Sequence, residues 1–210
     1  MKLVHFRHNF ENDIISTSRN MAKRYRCHST HSELVEQYAL LIFDAMKKYH
    51  GMEKRERLLL QIAAIIHACG KFISVKNANE CAYNIIMSTE IIGISHMERE
   101  IIANVVRYNI RDFDYNRMKM ESQYESPESR NEVTITIAKL TAILRLANSM
   151  DRGHLHKLMD CQAAVKKGKL VVKTEYPGDL TLEAVSFEQK AEFFEEIFGI
   201  RPQLKQKGKM

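Results

Sequence analysis

The stretch EKRERLLLQIAAIIHACG, residues 53–70, decides the fold. Its first turns are charged, and from Leu58 to Ile66 it is apolar almost all the way round until Gly70 ends it. A helix that is apolar on every side is one that its neighbours bury, so this segment reads as the central helix of a helical bundle. A polar residue at its end, His67, is thereby carried into the interior or onto the floor of a cleft.

Working outward, the flanking segments supply the neighbours such a helix needs. Residues 11–26 set Ile14, Ser18, Met21 and Tyr25 at helical spacing. After Ser29-Thr30, Leu34, Tyr38, Leu41, Ile42, Ala45 and Tyr49 form one apolar stripe that Gly51 stops. Residues 79–92 and 96–110 predict two more helices, and Ser95 with Glu98 three residues on predicts a capping box at the start of the second. The stretch 112–125 is polar and patternless, a surface loop. Ser126-Pro127-Glu128 then opens a long helix with Ile137, Leu140, Leu144 and Ala147 on one face, ending near Asp151-Arg152-Gly153.

Beyond Gly153 the texture changes. DCQAAVKKGKLVVKTEY predicts two short strands joined at Lys167-Gly168, and DLTLEAV reads as another extended piece. SFEQKAEFFEEIFG follows as a helix with a capping box at Ser186 and Gln189 and an apolar face at Phe187, Ala191, Phe194, Ile197 and Phe198, and IRPQLKQ returns as a strand. The expected fold class is mainly α, a helical domain over residues 1–153 followed by a small α+β domain over residues 154–210.

Composition agrees with this reading and narrows the function classes. Only 3 Pro and 8 Gly in 210 residues favour long helices over a turn-rich β fold. The opening MKLVHFRHNFENDII is too polar for a signal peptide, and no later segment stays apolar long enough to cross a bilayer. Four scattered cysteines without a Cys-x-x-Cys pair suit a reducing cytoplasm. The net charge of +6, to which Lys205, Lys207 and Lys209 contribute a basic tail, suits an anionic partner.

Three residues stand out chemically: His31 near the start of one helix, His67 at the end of the central one, and Asp151 at the end of the long one. Histidines and a carboxylate delivered by separate helices to one end of a bundle make a divalent metal site. Singly, each has a structural reading: a polar group at a helix start, a hydrogen-bonded core histidine, and a helix-end acid.

The phrases HSELVEQYALLIFDAM, RERLLLQIAAIIHACGKFIS, AYNIIMSTEIIGISHMEREIIANVVRYN and KLTAILRLANSMDRGH together resemble the C-terminal helical domain, an HD-type fold, of the exopolyphosphatase and guanosine-pentaphosphate phosphatase family. GKLVVKTE and DLTLEAVSFEQKAEFFEEIFGI extend the resemblance to about residue 204, into a segment like the small domain that follows in that family. The resemblance implies an HD-domain-like bundle with metal ligands at His31, His67 and Asp151. It also exposes departures. Ala68 stands where the His-Asp pair has its aspartate, Glu80-Cys81 where relatives carry histidine and serine, and Asn109 where relatives tend to have histidine. A two-metal phosphohydrolase needs a bridging carboxylate, which alanine cannot supply. The expectation is loss of the dinuclear site, leaving one divalent transition metal or none, with Glu80 as a conceivable replacement carboxylate.

What the resemblance leaves is phosphate binding. It implies a basic surface at Lys71, Arg107, Arg111, Arg145, Arg152 and His154, with arginine's planar fork suited to phosphate oxygens. The structural reading of these cations is a solvated helix face with ordinary ion pairs. The expected partner is polyphosphate or a guanosine polyphosphate nucleotide rather than nucleic acid or a membrane. In the family, actin-like catalytic domains precede the helical one, and none of these 210 residues matches their glycine-rich loops, so the chain is a stand-alone relative or a fragment of a longer protein. The leading expectation is an exopolyphosphatase-like binder with little or no hydrolase activity. The alternatives are a metal-dependent phosphohydrolase with a remodelled site and a homodimerising interaction module.

Overall fold

The computed structural model describes residues 10–116, 118 and 120–207. The residues that open the chain, 1–9, and Lys209 of the basic tail lie outside the described residues. Among those described, the chain is mainly helical, with a small sheet after the first seven helices. The helices are α1 (Phe10–Arg24), α2 (Ser29–Ala45), α3 (Lys47–His50), α4 (Lys54–Ile66), α5 (Ala78–Ser88), α6 (His96–Tyr108), α7 (Pro127–Ser149) and α8 (Thr181–Phe198), and the strands are β1 (Gln162–Lys166), β2 (Lys169–Thr174) and β3 (Arg201–Gln206).

The central helix is α4, with Leu58 to Leu60 and Ile62 to Ile66 all buried. It packs against α1, α2, α6 and α7. The α2 stripe turns Leu34, Tyr38 and Ile42 into this core, and α7 contributes Ile137, Leu140, Leu144 and Ala147. The capping box of Ser95 and Glu98 opens α6, and Ser126 with Pro127 opens α7. At the far end of α4, a 3₁₀ turn (Cys69–Phe72) lays Gly70 so close to α5 that a Cβ there would sit 1.8 Å from the Ala78 carbonyl oxygen. Only glycine permits this contact, which fixes α5 against the end of the central helix.

The sequence 112–125 carries no helical or sheet periodicity, yet its end, from Glu121 to Tyr124, is anchored. The buried carboxylate of Glu100 on α6 accepts backbone N–H bonds from Glu121 and Ser122 and the hydroxyl of Tyr124 at 2.7 Å.

After the bundle, β1 and β2 form an antiparallel hairpin, with Lys167 and Gly168 both at positive φ (50° and 73°) as the two-residue primed turn requires. Strand β3 pairs parallel to β2, so β2, α8 and β3 form a crossover unit. One expectation fails here: DLTLEAV is not extended, because α8 already begins at Thr181. Asp179 accounts for this, since its carboxylate accepts both the N–H (3.0 Å) and the hydroxyl (2.6 Å) of Thr181 and turns the chain into a helix five residues before Ser186. Ser186 therefore lies within the helix and is buried. Phe187, Ala191 and Phe194 are buried as the α8 pattern predicts, and α8 packs directly on α7. No helix among the described residues is long and apolar enough to cross a membrane.

Candidate functional site

Three helix ends meet at one point. His31 lies in the first turn of α2, His67 caps the C-terminus of α4, and Asp151 follows α7, and all three are buried. The His31 Nδ1 and Asp151 Oδ2 atoms are 2.7 Å apart, and His31 Nε2 lies 3.3 Å from His67 Nε2. His67 Nδ1 donates to the Ala64 carbonyl at 2.7 Å, which leaves a lone pair on Nε2. Burial pushes the His67 imidazole down to about 3, so it is neutral.

The chain then winds back on Asp151. His156 N–H donates to Asp151 Oδ1 at 3.0 Å, and His156 Nδ1 lies 3.4 Å from Oδ2. His154 stacks on the His31 ring with centroids 4.0 Å apart. Burial alone would raise the Asp151 carboxyl, but the bonds from His31 and the His156 N–H, with the nearby imidazoles, outweigh it and hold it below the usual aspartate range. Burial and the neighbouring His31 lower His154.

This wiring has an electrostatic requirement. A neutral His31 that donates Nδ1–H to Asp151 presents a lone pair at Nε2, facing the lone pair of His67. Two acceptors at 3.3 Å leave one bond unmade, so the site calls for one further positive charge, a second ring proton or a metal ion. The residues fit one cation and not two, because Ala68 offers no carboxylate and both oxygens of Asp151 are already engaged.

Glu80 is placed elsewhere. Its carboxylate accepts from Arg107 at 2.8 Å and from Arg111 at 2.7 Å. Among the described residues, the ligand atoms that lie within 4.8 Å of one another belong to His31, Asp151 and His154, and Glu80 is outside that group. Arg107 is buried, its guanidinium 5.5 Å from the ring centroids of both Tyr83 and Tyr108. Lys71 stands exposed on the 3₁₀ turn, near enough to His67 and His154 to disfavour their protonation.

A second feature lies between the end of α6, α7 and α8. Asn109, Arg145, Asn148, Ser149, Arg152 and Lys190 help line a cavity of about 120 Å³ whose lining contains no Asp or Glu. Arg145 is tied by Nε to the Tyr108 carbonyl at 2.7 Å and by Nη2 to the Arg111 carbonyl, with Phe193 under its guanidinium at 4.6 Å. The Asn109 side chain is buried, and neither its oxygen nor its nitrogen has a hydrogen-bond partner. Burial first, then the charges of Arg145 and Arg152, lower Lys190 against the opposing pull of Asp112, which lies outside the lining. Crowded cations beside unpartnered amide groups are what an anion would relieve.

The fold brings His31, His67 and Asp151 together. Of the basic residues expected from the sequence it sets Arg145 and Arg152 on one cavity, while Lys71, Arg107, Arg111 and His154 lie outside its lining. The sequence reading missed His156 as a neighbour of Asp151 and Lys190 as the cavity's third cation. His156 had a signal in the alternation of the DRGHLH phrase, whereas Lys190 comes from α8, far along the chain, and no spacing announced it.

Residues 15–191 match the family model described as Ppx/GppA phosphatase, domain III. No curated protein matches the chain.

Proposed function

The chain belongs to the Ppx/GppA phosphatase family, as a domain III, and on that premise we propose that it binds polyphosphate or a phosphorylated nucleotide through a cationic cleft, with little or no hydrolase activity of its own. The observation that carries this reading is the acid-free cavity lined by Arg145, Arg152 and Lys190, with the unpartnered Asn109 amide in its wall. A phosphate group accepts from all four, and charge-assisted bonds to arginine are the strong ones. The helix-end trio supports the limit on hydrolysis, since a bridging carboxylate is lacking at Ala68. Four free cysteines fit a cytoplasmic setting for such a binder.

The test is titration calorimetry with polyphosphate and with guanosine tetraphosphate at stepped salt concentrations. Binding should weaken steeply and log-linearly with salt, as contacts that release counterions do. The double variant Arg152→Ala, Lys190→Ala should bind at least about tenfold more weakly, the loss of roughly one charge-assisted bond. Absent or salt-independent binding across an anion panel overturns the reading.

A second reading, a metal-dependent phosphohydrolase with a remodelled site, is favoured by the facing imidazoles of His31 and His67. It requires phosphatase activity with added manganese, magnesium or zinc that His67→Ala removes. A protein inert with all three metals excludes it.

A further inference from the structure

We propose that this chain holds one borderline divalent cation of the zinc type on His31 Nδ1, Asp151 Oδ2 and the loop histidine His154, with His156 as a neighbour of Asp151 and His67 as an outer hydrogen-bond acceptor rather than ligands. The ligand atoms of His31, Asp151 and His154 already lie within 4.8 Å of one another. Zinc–nitrogen bonds of about 2.0–2.1 Å place two ligands at right-angled to tetrahedral spacing about 2.9–3.4 Å apart. The 2.7 Å from Asp151 Oδ2 to His31 Nδ1 lies just below that range's lower end, so a small opening of the pair admits the ion. His156 lies outside the group of His31, Asp151 and His154, with its buried Nδ1 3.4 Å from Asp151 Oδ2, and backs the carboxylate rather than the ion.

The backbone points the same way. His154 and His156 are both left-handed, with φ of 52° and 56°. Each such non-glycine residue costs on the order of 1–3 kcal/mol. The two residues turn back on the buried Asp151, through His154 N–H to its carbonyl at 3.1 Å and His156 N–H to its carboxylate at 3.0 Å. Lys157 locks the end of this turn to α8 through Glu183 at 3.1 Å and the Asp179 carbonyl at 2.8 Å.

The cation also resolves the opposed lone pairs. With the cation on Nδ1, neutral His31 takes its other tautomer: the Nδ1 proton leaves to solvent, solvent returns one proton to Nε2, and the ring's single hydrogen sits there. It is then donated to His67 Nε2, whose own Nδ1–H goes to the Ala64 carbonyl. Every imidazole nitrogen in the chain from Ala64 to Asp151 then has one partner. An outer acceptor that fixes the tautomer of a ligating histidine is a recurrent part of metal sites. Mixed imidazole and carboxylate donors select zinc and its first-row neighbours over magnesium or calcium.

The test uses the full chain, stripped with chelator and titrated with zinc by calorimetry, with elemental analysis for stoichiometry and cobalt substitution for the ligand-field spectrum. One ion per chain is expected. The double variant His154→Ala, His156→Ala removes two side chains that are exposed or half-exposed, so circular dichroism should show an unchanged fold while affinity falls by roughly a hundredfold or more. His67→Gln, which alters only the outer partner, should weaken binding by about tenfold. Zinc binding left intact in the double variant overturns the proposal, as does loss of all binding in His67→Gln alone. Failure of the wild-type chain to retain zinc at micromolar concentration overturns it as well. None of these outcomes depends on phosphate binding at the separate cationic cavity.

Discussion

Arg145 of α7 holds the end of α6 by donating to the Tyr108 carbonyl at 2.7 Å and to the Arg111 carbonyl. The last carbonyls of a helix have no intrahelical partner, and a buried guanidinium that satisfies one of them at Tyr108 and the Arg111 carbonyl beyond joins α6, α7 and the start of the following loop. The same side chain borders the cationic cavity, so its structural duty and its place in the candidate site are inseparable.

Arg145→Ala should therefore destabilise the protein by about 2–4 kcal/mol, since the Tyr108 and Arg111 carbonyls lose their partner and Phe193 loses its packing surface. Arg145→Lys keeps the charge but cannot span both carbonyls, and should recover less than half of the loss. Urea denaturation midpoints at equal slope measure both.

The Glu100 anchor makes a second prediction. Glu100→Ala leaves the N–H groups of Glu121 and Ser122 and the Tyr124 hydroxyl without their acceptor. The loss should be about 1–3 kcal/mol, and the stretch 112–125 should become the first site of cleavage in limited proteolysis. A proteolysis pattern unchanged from wild type would show that the loop is held by something else.

Gly70→Ala should be among the most damaging single substitutions. The new methyl would meet the Ala78 carbonyl oxygen at 1.8 Å and the Ala82 nitrogen at 2.6 Å, both backbone atoms that cannot swing aside. Displacing α5 from the end of α4 should cost about 3 kcal/mol or more, read as a lowered melting temperature.

The pH dependence of stability has an acid limb that involves Glu98. Its carboxylate takes two bonds from Arg55 at 2.5 and 2.8 Å, and these hold it down to about 2 against the opposing effect of burial. A carboxyl lowered on folding adds stability above its ordinary value of 4.5, and that contribution is lost as pH falls from there through about 2. Glu98→Gln should remove this slope, so melting temperatures of variant and wild type should converge as the pH is lowered from 5 toward 2.

Much of the bundle was legible in the chain because helix periodicity is a local property. The all-round apolar run of α4, the capping box at Ser95 and the Ser126-Pro127 start each act within a few residues, and each appears where the pattern places it. The start of α8 was not legible in the same way, because an Asx turn at Asp179 redirected a segment whose alternation suited a strand.

By itself, then, the sequence determined the helical fold, the family resemblance and the three residues His31, His67 and Asp151 that a bundle would bring to one end. The loss at Ala68 was equally a matter of sequence, since no arrangement of the backbone gives alanine a carboxylate. The tertiary structure alone decided what surrounds those residues. It set Glu80 against Arg107 and Arg111, and it turned His154 and His156 back on Asp151 through two left-handed residues. It also added Lys190 of α8 to the cavity of Arg145 and Arg152. The partners of Glu80 and the arrival of Lys190 are set by how elements distant in the chain pack against one another, which leaves no mark in local spacing. The turn at His154 and His156, by contrast, is local and rests on its backbone conformation.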